Sequence, residues 1–178
     1  FHLHHLFACV FRKLYFYLSL LFNNFNRIIL TIYTTTKGGE IVSGKICFFI
    51  GHRETSEEIY PVLCAAVEEH IVHYGVTEFI VGRYGCFDVL AAKAVKTAKQ
   101  NHPKVKLTLL LPYHPAECPI PVPDGFDSTS YPPGMENVPR KVAIVRANRY
   151  MVDHTDFLIA HVWHPASNAQ KILQYAQR

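Results

Sequence analysis

Residues 45–82 read KICFFIGHRETSEEIYPVLCAAVEEHIVHYGVTEFIVG, and this stretch decides the fold. It begins with an apolar run, Ile46 to Ile50, that ends at Gly51. Such a short continuous run is typical of a strand buried on both faces. A second run of this kind, Glu78 to Val81, ends at Gly82. Two buried strands separated by about 25 residues predict a strand–helix–strand unit with parallel strands.

The segment between these strands has the pattern of an amphipathic helix. Residues 55–58 read TSEE, a capping box, and apolar residues then recur at helical spacing up to Gly75. Pro61 removes a backbone donor, so the helix either begins there or is kinked. The apolar stripes predicted for this helix and the two that follow include Val62, Val89 and Val142, and Phe87 is assigned to the core.

The same alternation continues to the end of the chain. The further predicted elements are a helix over 88–100, a strand over 106–111, a proline-rich loop over 114–138, a helix from Pro139, a strand over 157–162 and a helix capped by Ser167. Strands that alternate with helices at this spacing indicate a parallel sheet with right-handed crossovers. We therefore predict an α/β fold, a three-layer Rossmann-like domain with a mostly parallel sheet of four or five strands.

Charge is distributed unevenly along the 178 residues. Residues 1–41 hold 4 basic and 1 acidic residue, whereas residues 42–178 hold 14 basic and 13 acidic ones. The nearly neutral body argues against a protein that binds a phosphate backbone, so nucleic acid is not an expected partner. The five cysteines form no CxxC pair, which predicts neither a disulfide framework nor a zinc knuckle and fits a reducing cytoplasm.

Residues 1–41 are predicted to be translated upstream DNA or a disordered extension. The tetrapeptide KGGE at 37–40 can be encoded as AAA GGA GGT GAA, a bacterial ribosome-binding sequence, and Val42 as the start codon GTG. We expect the domain to comprise residues 42–178. The alternative is a genuine membrane-associating extension, but the apolar run at 14–22 has nine residues and a spanning helix needs about 20.

Unusual residues follow every predicted strand, and open α/β sheets bind ligands at the carboxyl ends of their strands. The four loops read GHR (51–53), GRYGCFD (82–88), PYHPAE (112–117) and HPASN (164–168). Glycines let the backbone approach a ligand, and a helix N-terminus offers N–H groups to an anion. The predicted ligand-binding residues are Gly51, His52, Arg53, Gly82, Gly85, Asp88, Arg146, Arg149, Ser167 and Asn168.

Several of these residues have a second, purely structural interpretation. Arg53 is suited to bind a phosphate or carboxylate with His52 as a further donor, but it also has acidic neighbours to pair with. Arg146 and Arg149 share a helix face and form an anion clamp only if that face points to the rim. The other interpretation of this face is a surface that is solvated or paired with Asp153.

The second loop has the spacing G-x-x-G-x-F-D, so the dinucleotide fingerprint G-x-G-x-x-G is absent. Asp88 either caps the following helix or contacts a ribose hydroxyl or leaving group. If the protein is an enzyme, Asp88 and Glu117 are the candidate acid–base residues, and no other catalytic residue is assigned. No metal ion is predicted, because the sequence places no third ligand beside either histidine pair, His70 and His73 or His161 and His164. No cofactor is predicted either.

Five motifs span most of the chain: CFFIGHR (47–53), VGRYGCFD (81–88), LLPYHPAE (110–117), YPPGME (131–136) and RANRYMVDHTD (146–156). Together they resemble the SLOG superfamily, specifically its short YpsA-like bacterial members of unknown function. The resemblance implies a Rossmann-like fold whose strand-end pocket binds nucleotides, their derivatives or ligands derived from nucleic acid. The superfamily includes Lonely Guy enzymes, which cleave ribose phosphate from a modified nucleotide. Their P-G-G-x-G-T segment is replaced here by PASNAQ (165–170), so that activity is not carried over.

The expected function is therefore binding of a nucleotide or a nucleotide-derived anionic ligand at the rim formed by the strand carboxyl ends. One alternative is a nucleotide N-glycoside or phosphate hydrolase, and another is a regulatory domain that binds a protein partner. No membrane association is expected. Since Rossmann-like domains of this size often form dimers, a homodimer is retained among the expectations.

Overall fold

The computed structural model describes residues 29–33 and 44–178, with six strands and four helices in these ranges. The strands are β1 (Ile29–Tyr33), β2 (Lys45–Gly51), β3 (Val76–Val81), β4 (Lys106–Leu110), β5 (Ser128–Ser130) and β6 (Phe157–His161). The helices are α1 (Tyr60–Val72), α2 (Cys86–Ala98), α3 (Arg140–His154) and α4 (Asn168–Ala176). The predictions that concern residues 14–22, 37–40 and Val42 lie outside the described residues.

The strands form one sheet in the order β1-β6-β2-β3-β4-β5. Strands β6, β2, β3, β4 and β5 are mutually parallel, and β1 adds an antiparallel edge beside β6. The chain moves outward from β2 to β5 and then returns to the other side of β2 with β6. The strand order therefore reverses between β2 and β6, and this is the switch point at which sheets of this kind usually bind ligands.

Two apolar clusters flank the sheet. Phe48 and Phe49 are consecutive residues of β2, each 1% exposed, and they belong to different clusters because successive strand side chains point to opposite faces. Helices α1 and α2 cover the face of Phe49, and α3 and α4 cover the face of Phe48. The α/β, three-layer Rossmann-like prediction is confirmed, and so is the core position of Phe87.

The start of α1 resolves the ambiguity at Pro61. The Ser56 hydroxyl accepts the N–H of Glu58 and caps a short 3₁₀ turn, Glu57–Ile59. Helix α1 then begins at Tyr60 with Pro61 in its first turn, where the missing N–H costs nothing. The first of the two predicted interpretations is therefore right.

Three valines assigned to apolar stripes are exposed, so that part of the prediction was wrong. Val62, Val89 and Val142 are 57%, 65% and 50% exposed. Each directly precedes a buried residue of its helix, which places it about 100° away from the buried stripe.

Strand β5 lies within the segment predicted to be a loop. Its three residues, STS, are polar and carry no apolar pattern, so β5 is held by hydrogen bonds. The hydroxyls of Ser128 and Thr108 are 2.8 Å apart. The carboxylate of Asp127 accepts the N–H of Leu107 at 2.7 Å and so attaches this edge to β4.

Candidate functional site

The four loops after β2, β3, β4 and β6 contact one another along one edge of the sheet. The backbone carbonyl of Arg53 accepts the N–H of Cys86 at 2.8 Å, which joins the first and second loops. The Tyr84 ring meets the Tyr113 ring edge-on at 6.1 Å, which joins the second and third. His52 joins the first loop to the fourth. The edge is thus a continuous rim.

His52 links the two strands that flank the switch point. Its Nε2 accepts the backbone N–H groups of Trp163 at 3.0 Å and of His164 at 3.1 Å, and its ring lies 4.1 Å from that of Trp163. Burial, and then the charge of His164, lowers the pKa of His52. Because an accepting Nε2 carries no proton, only Nδ1 is left to donate to a ligand. In this structure His52 connects two loops.

The three predicted glycines make room for the protein's own atoms. A Cβ on Gly51 would collide with the Phe87 ring, and one on Gly85 would lie 2.7 Å from Cα of Arg53. A Cβ on Gly82 would lie 2.9 Å from the Asp88 carboxylate. The space that these glycines leave open is therefore filled from within the fold.

Asp88 supports the second loop. Its Oδ2 accepts the N–H of Tyr84 at 2.8 Å, and the N–H of Gly85 also donates to the carboxylate. Gly85 precedes α2 and Asp88 is its third residue, so this is one half of a capping box. Burial raises the pKa of Asp88 to about 6, and the two hydrogen bonds act in the opposite direction.

The two arginines predicted as an anion clamp do not form one at the rim. The Arg149 guanidinium lies 5.4 Å from the Tyr175 ring, and the Tyr175 hydroxyl donates to the Asp153 carboxylate at 2.9 Å. Tyr175 is seven residues from Asn168 at the rim end of α4, which corresponds to about 10 Å along the helix. Arg146 is exposed and about 4.5 Å closer to the rim. Because α3 runs from the rim to the opposite edge, Arg149 lies far from the predicted site.

Ser167 and Asn168 are at the rim, at the start of α4. The Ser167 hydroxyl accepts the N–H of Gln170 at 3.0 Å and donates to the carbonyl of His164 at 2.8 Å. It therefore acts as the N-cap that the sequence predicts. Asn168 is exposed beside it.

A cavity of about 270 Å³ opens on the rim between the loop after β4 and the start of α3. We call it the Tyr113 cavity. Its lining includes Tyr113, His114, Glu117, Tyr131, Glu136 and Arg140. The Arg140 guanidinium lies 4.7 Å from the centre of the Tyr113 ring, a cation–π contact that fixes its position. Of the predicted candidates, Glu117 is the one that lines this cavity.

The Tyr113 cavity has an acidic and a basic side. Desolvation, followed by the negative charges of Glu136 and Glu117, raises the pKa of Tyr131. Arg140 lies on the other side. Behind it Tyr84 contacts Tyr113 without lining the cavity; burial and the neighbouring Tyr113 raise the pKa of Tyr84, whereas the positive charges of Arg83 and Arg140 oppose the shift. Both arginines are therefore close to Tyr84.

Comparison of the sequence with models of known protein families and with curated proteins finds no match. Within the described part of the chain, no helix combines the length and the apolar character that a membrane span requires.

Arg140 is the important residue that the sequence prediction missed. Pro139 marked the helix start, and the residue after it is a cation in a position where the helix dipole favours anions. The first turn of α3 holds no acidic residue, and its N-cap, Pro139, makes no side-chain hydrogen bond. A basic residue at an uncapped helix start was the signal that could have identified it.

Proposed function

We propose that the protein binds a nucleotide or a nucleotide-derived anion in the Tyr113 cavity. The observation that carries the proposal is the positive wall formed by the start of α3. Arg140 lines the cavity and is held there against Tyr113, in a first turn without acidic residues. The helix dipole adds positive potential at the same point, so this wall suits a phosphate or carboxylate.

The rest of the cavity suits the other parts of a nucleotide. The rings of Tyr113 and Tyr131 offer surfaces for stacking, and the carboxylates of Glu117 and Glu136 accept hydrogen bonds from hydroxyl or amino groups. Pockets for drug-sized ligands usually begin at roughly 300 Å³. A cavity of about 270 Å³ therefore favours a mononucleotide over a dinucleotide. The resemblance of the rim motifs to the SLOG superfamily implies the same ligand class.

Calorimetric titration with AMP and a panel of other nucleoside monophosphates tests this proposal. We expect Arg140→Gln to weaken binding about tenfold or more, because a charged hydrogen bond to phosphate is lost. Arg149→Gln is a matched control, since Arg149 also lies on α3 against a tyrosine ring but far from the rim. We expect its affinity to remain within about twofold of the wild-type value.

The proposal would be overturned if no member of the panel bound to the wild-type protein. It would also be overturned if Arg140→Gln and Arg149→Gln weakened binding equally, because binding would then not depend on the rim.

A second candidate function is hydrolysis of the N-glycosidic or phosphate bond of the bound nucleotide. The observation that favours it is the position of Glu117 in the cavity wall, where its carboxylate can act as an acid or base. Release of free base, ribose 5-phosphate or inorganic phosphate from AMP would demonstrate activity. Loss of that release in Glu117→Gln, with AMP binding retained, would assign the role to Glu117.

A further inference from the structure

Asp88 lies on the rim but is absent from the lining of the Tyr113 cavity. A series of contacts nevertheless connects them. The Asp88 carboxylate accepts the N–H of Tyr84, the Tyr84 ring meets the Tyr113 ring, and the Tyr113 ring supports the Arg140 guanidinium. Each contact fixes the position of the next group, and the last one is the cation of the positive wall.

The loop that carries Tyr84 is built around the Asp88 carboxylate. Gly82 leaves room for Oδ2, and the N–H groups of Tyr84 and Gly85 both point at the carboxylate. A carboxylate that accepts two backbone N–H groups holds a loop more firmly than a neutral acceptor does.

We infer that Asp88 is a positioning residue of the Tyr113 cavity, and that its carboxylate holds Tyr84 against Tyr113 and thereby sets the position of Arg140. This inference rests on the proposed function, because it concerns the same cavity. It gives Asp88 a role other than acid–base chemistry or direct contact with the ligand.

The ionisation of Asp88 should control this contact. With a pKa of about 6, its carboxylate is charged at pH 7.5 and mostly protonated at pH 5. The charged and titratable groups nearest to it in the chain are Arg83, Tyr84 and Cys86. Arg53 packs on Gly85, and Tyr113 and Arg140 follow beyond Tyr84 across the rim. Burial raises the pKa of Asp88, and the two hydrogen bonds from the loop lower it. The conformation of the loop and the protonation of Asp88 are therefore coupled.

The first test follows the contact without any ligand. We expect nuclear Overhauser effects between the Tyr84 and Tyr113 rings in the full chain at pH 7.5, and weaker ones at pH 5. Asp88→Ala should lose them at both pH values. Asp88→Asn should show weaker effects that are the same at both, because its amide oxygen accepts a hydrogen bond but carries no charge. Val89→Ala, a neighbouring exposed position on α2, should behave as wild type.

Retention of the ring contact in Asp88→Ala would overturn the inference. If Asp88→Ala does not fold, the inference is tested by the wild-type pH series and by Asp88→Asn. A ring contact that is unchanged between pH 7.5 and 5 in the wild type would also overturn the inference.

The second test measures AMP affinity at the same two pH values. AMP itself takes up a proton near pH 6, so Asp88→Asn is compared with wild type at each pH. We expect about fivefold weaker binding for Asp88→Asn at pH 7.5 and a difference below about twofold at pH 5. Equal affinities of the two proteins at pH 7.5 would overturn the inference. Absence of binding by AMP and by every other member of the panel would overturn the proposed function instead, and the ring contact would still decide the role of Asp88.

Discussion

His52 and Trp163 connect the two strands at the switch point, because Nε2 of His52 accepts the N–H of Trp163 at 3.0 Å while their rings lie 4.1 Å apart. Strands β2 and β6 are therefore linked by a side chain as well as by the backbone hydrogen bonds of the sheet. The ligand position usual for this type of sheet is bridged by a side chain, and the cavity lies over β4 and β5 instead.

This contact predicts a change in tryptophan fluorescence with pH. Protonation of Nε2 would remove the acceptor for Trp163 and His164, and the neighbouring His164 adds repulsion when both rings are charged. Since the pKa of His52 is lowered from 6.5, the contact should be complete at pH 7.5 and lost as the pH falls below about 6.5. The chain has one tryptophan, so its emission reports the surroundings of this ring, which include His161 at 5.0 Å as well as His52. His52→Gln should abolish the transition, and a transition that persists in this variant would contradict the prediction.

We expect His70 to make the free energy of unfolding decrease in acid. Its ring is fully buried, Nδ1–H donates to the carbonyl of Ala66 at 2.6 Å, and Nε2 has no hydrogen-bond partner among the described residues. Burial lowers the pKa of His70, so the unfolded chain takes up its proton first and stability falls as the pH drops below about 6.5. His70→Phe, which suits the surrounding rings of Tyr74 and Phe157, should make the urea midpoint less dependent on pH between 7.5 and 5. An unchanged dependence would exclude His70 as its cause.

The architecture was predictable because apolar runs such as the one around Phe48 and Phe49 define strands regardless of their partners. Strand β5 was not predictable, because Ser128 and its neighbours are held by hydrogen bonds from a strand that is about 20 residues away in the sequence. The rim was predictable from the strand ends, but the cavity was not, because its wall is completed by Arg140, which is remote in sequence from Tyr113. For Arg149, the predicted helix start at Pro139 already implied a position about 15 Å along the helix from the rim, but the prediction considered only the helix face.

The carboxylate of Asp127 helps to attach β5 to β4, and we expect its removal to destabilise the fold. Its Oδ2 accepts the N–H of Leu107 at 2.7 Å and the ammonium of Lys99 at 2.6 Å. Asp127→Ala leaves the N–H of the fully buried Leu107 without this partner, so the free energy of unfolding should fall by about 1–3 kcal/mol. Asp124→Ala, at an exposed position of the same loop, should change it by less than about 0.5 kcal/mol. Equal effects of the two substitutions in urea denaturation would contradict this account.

We expect a larger residue at position 85 to clash at the contact between the first two loops. The φ of Gly85, −157°, is open to any residue, so Gly85→Ala introduces no backbone strain. The added Cβ would lie 2.7 Å from Cα of Arg53, however, and backbone atoms cannot move aside as a side-chain end can. We expect a loss of about 1–3 kcal/mol in the free energy of unfolding, because one of the two loops must shift.

Gly75→Ala provides the opposite case, with open space around the new Cβ but a φ of +70°. Its cost should be about 1 kcal/mol and come from the backbone alone. The steric effect of Gly85→Ala and the backbone effect of Gly75→Ala can be distinguished by the NMR chemical shifts of the Arg53 and Cys86 amides, because these two backbones are hydrogen-bonded at 2.8 Å. Those shifts should change in Gly85→Ala and remain as in wild type in Gly75→Ala. Unchanged shifts in Gly85→Ala would show that the loops are not packed through this glycine.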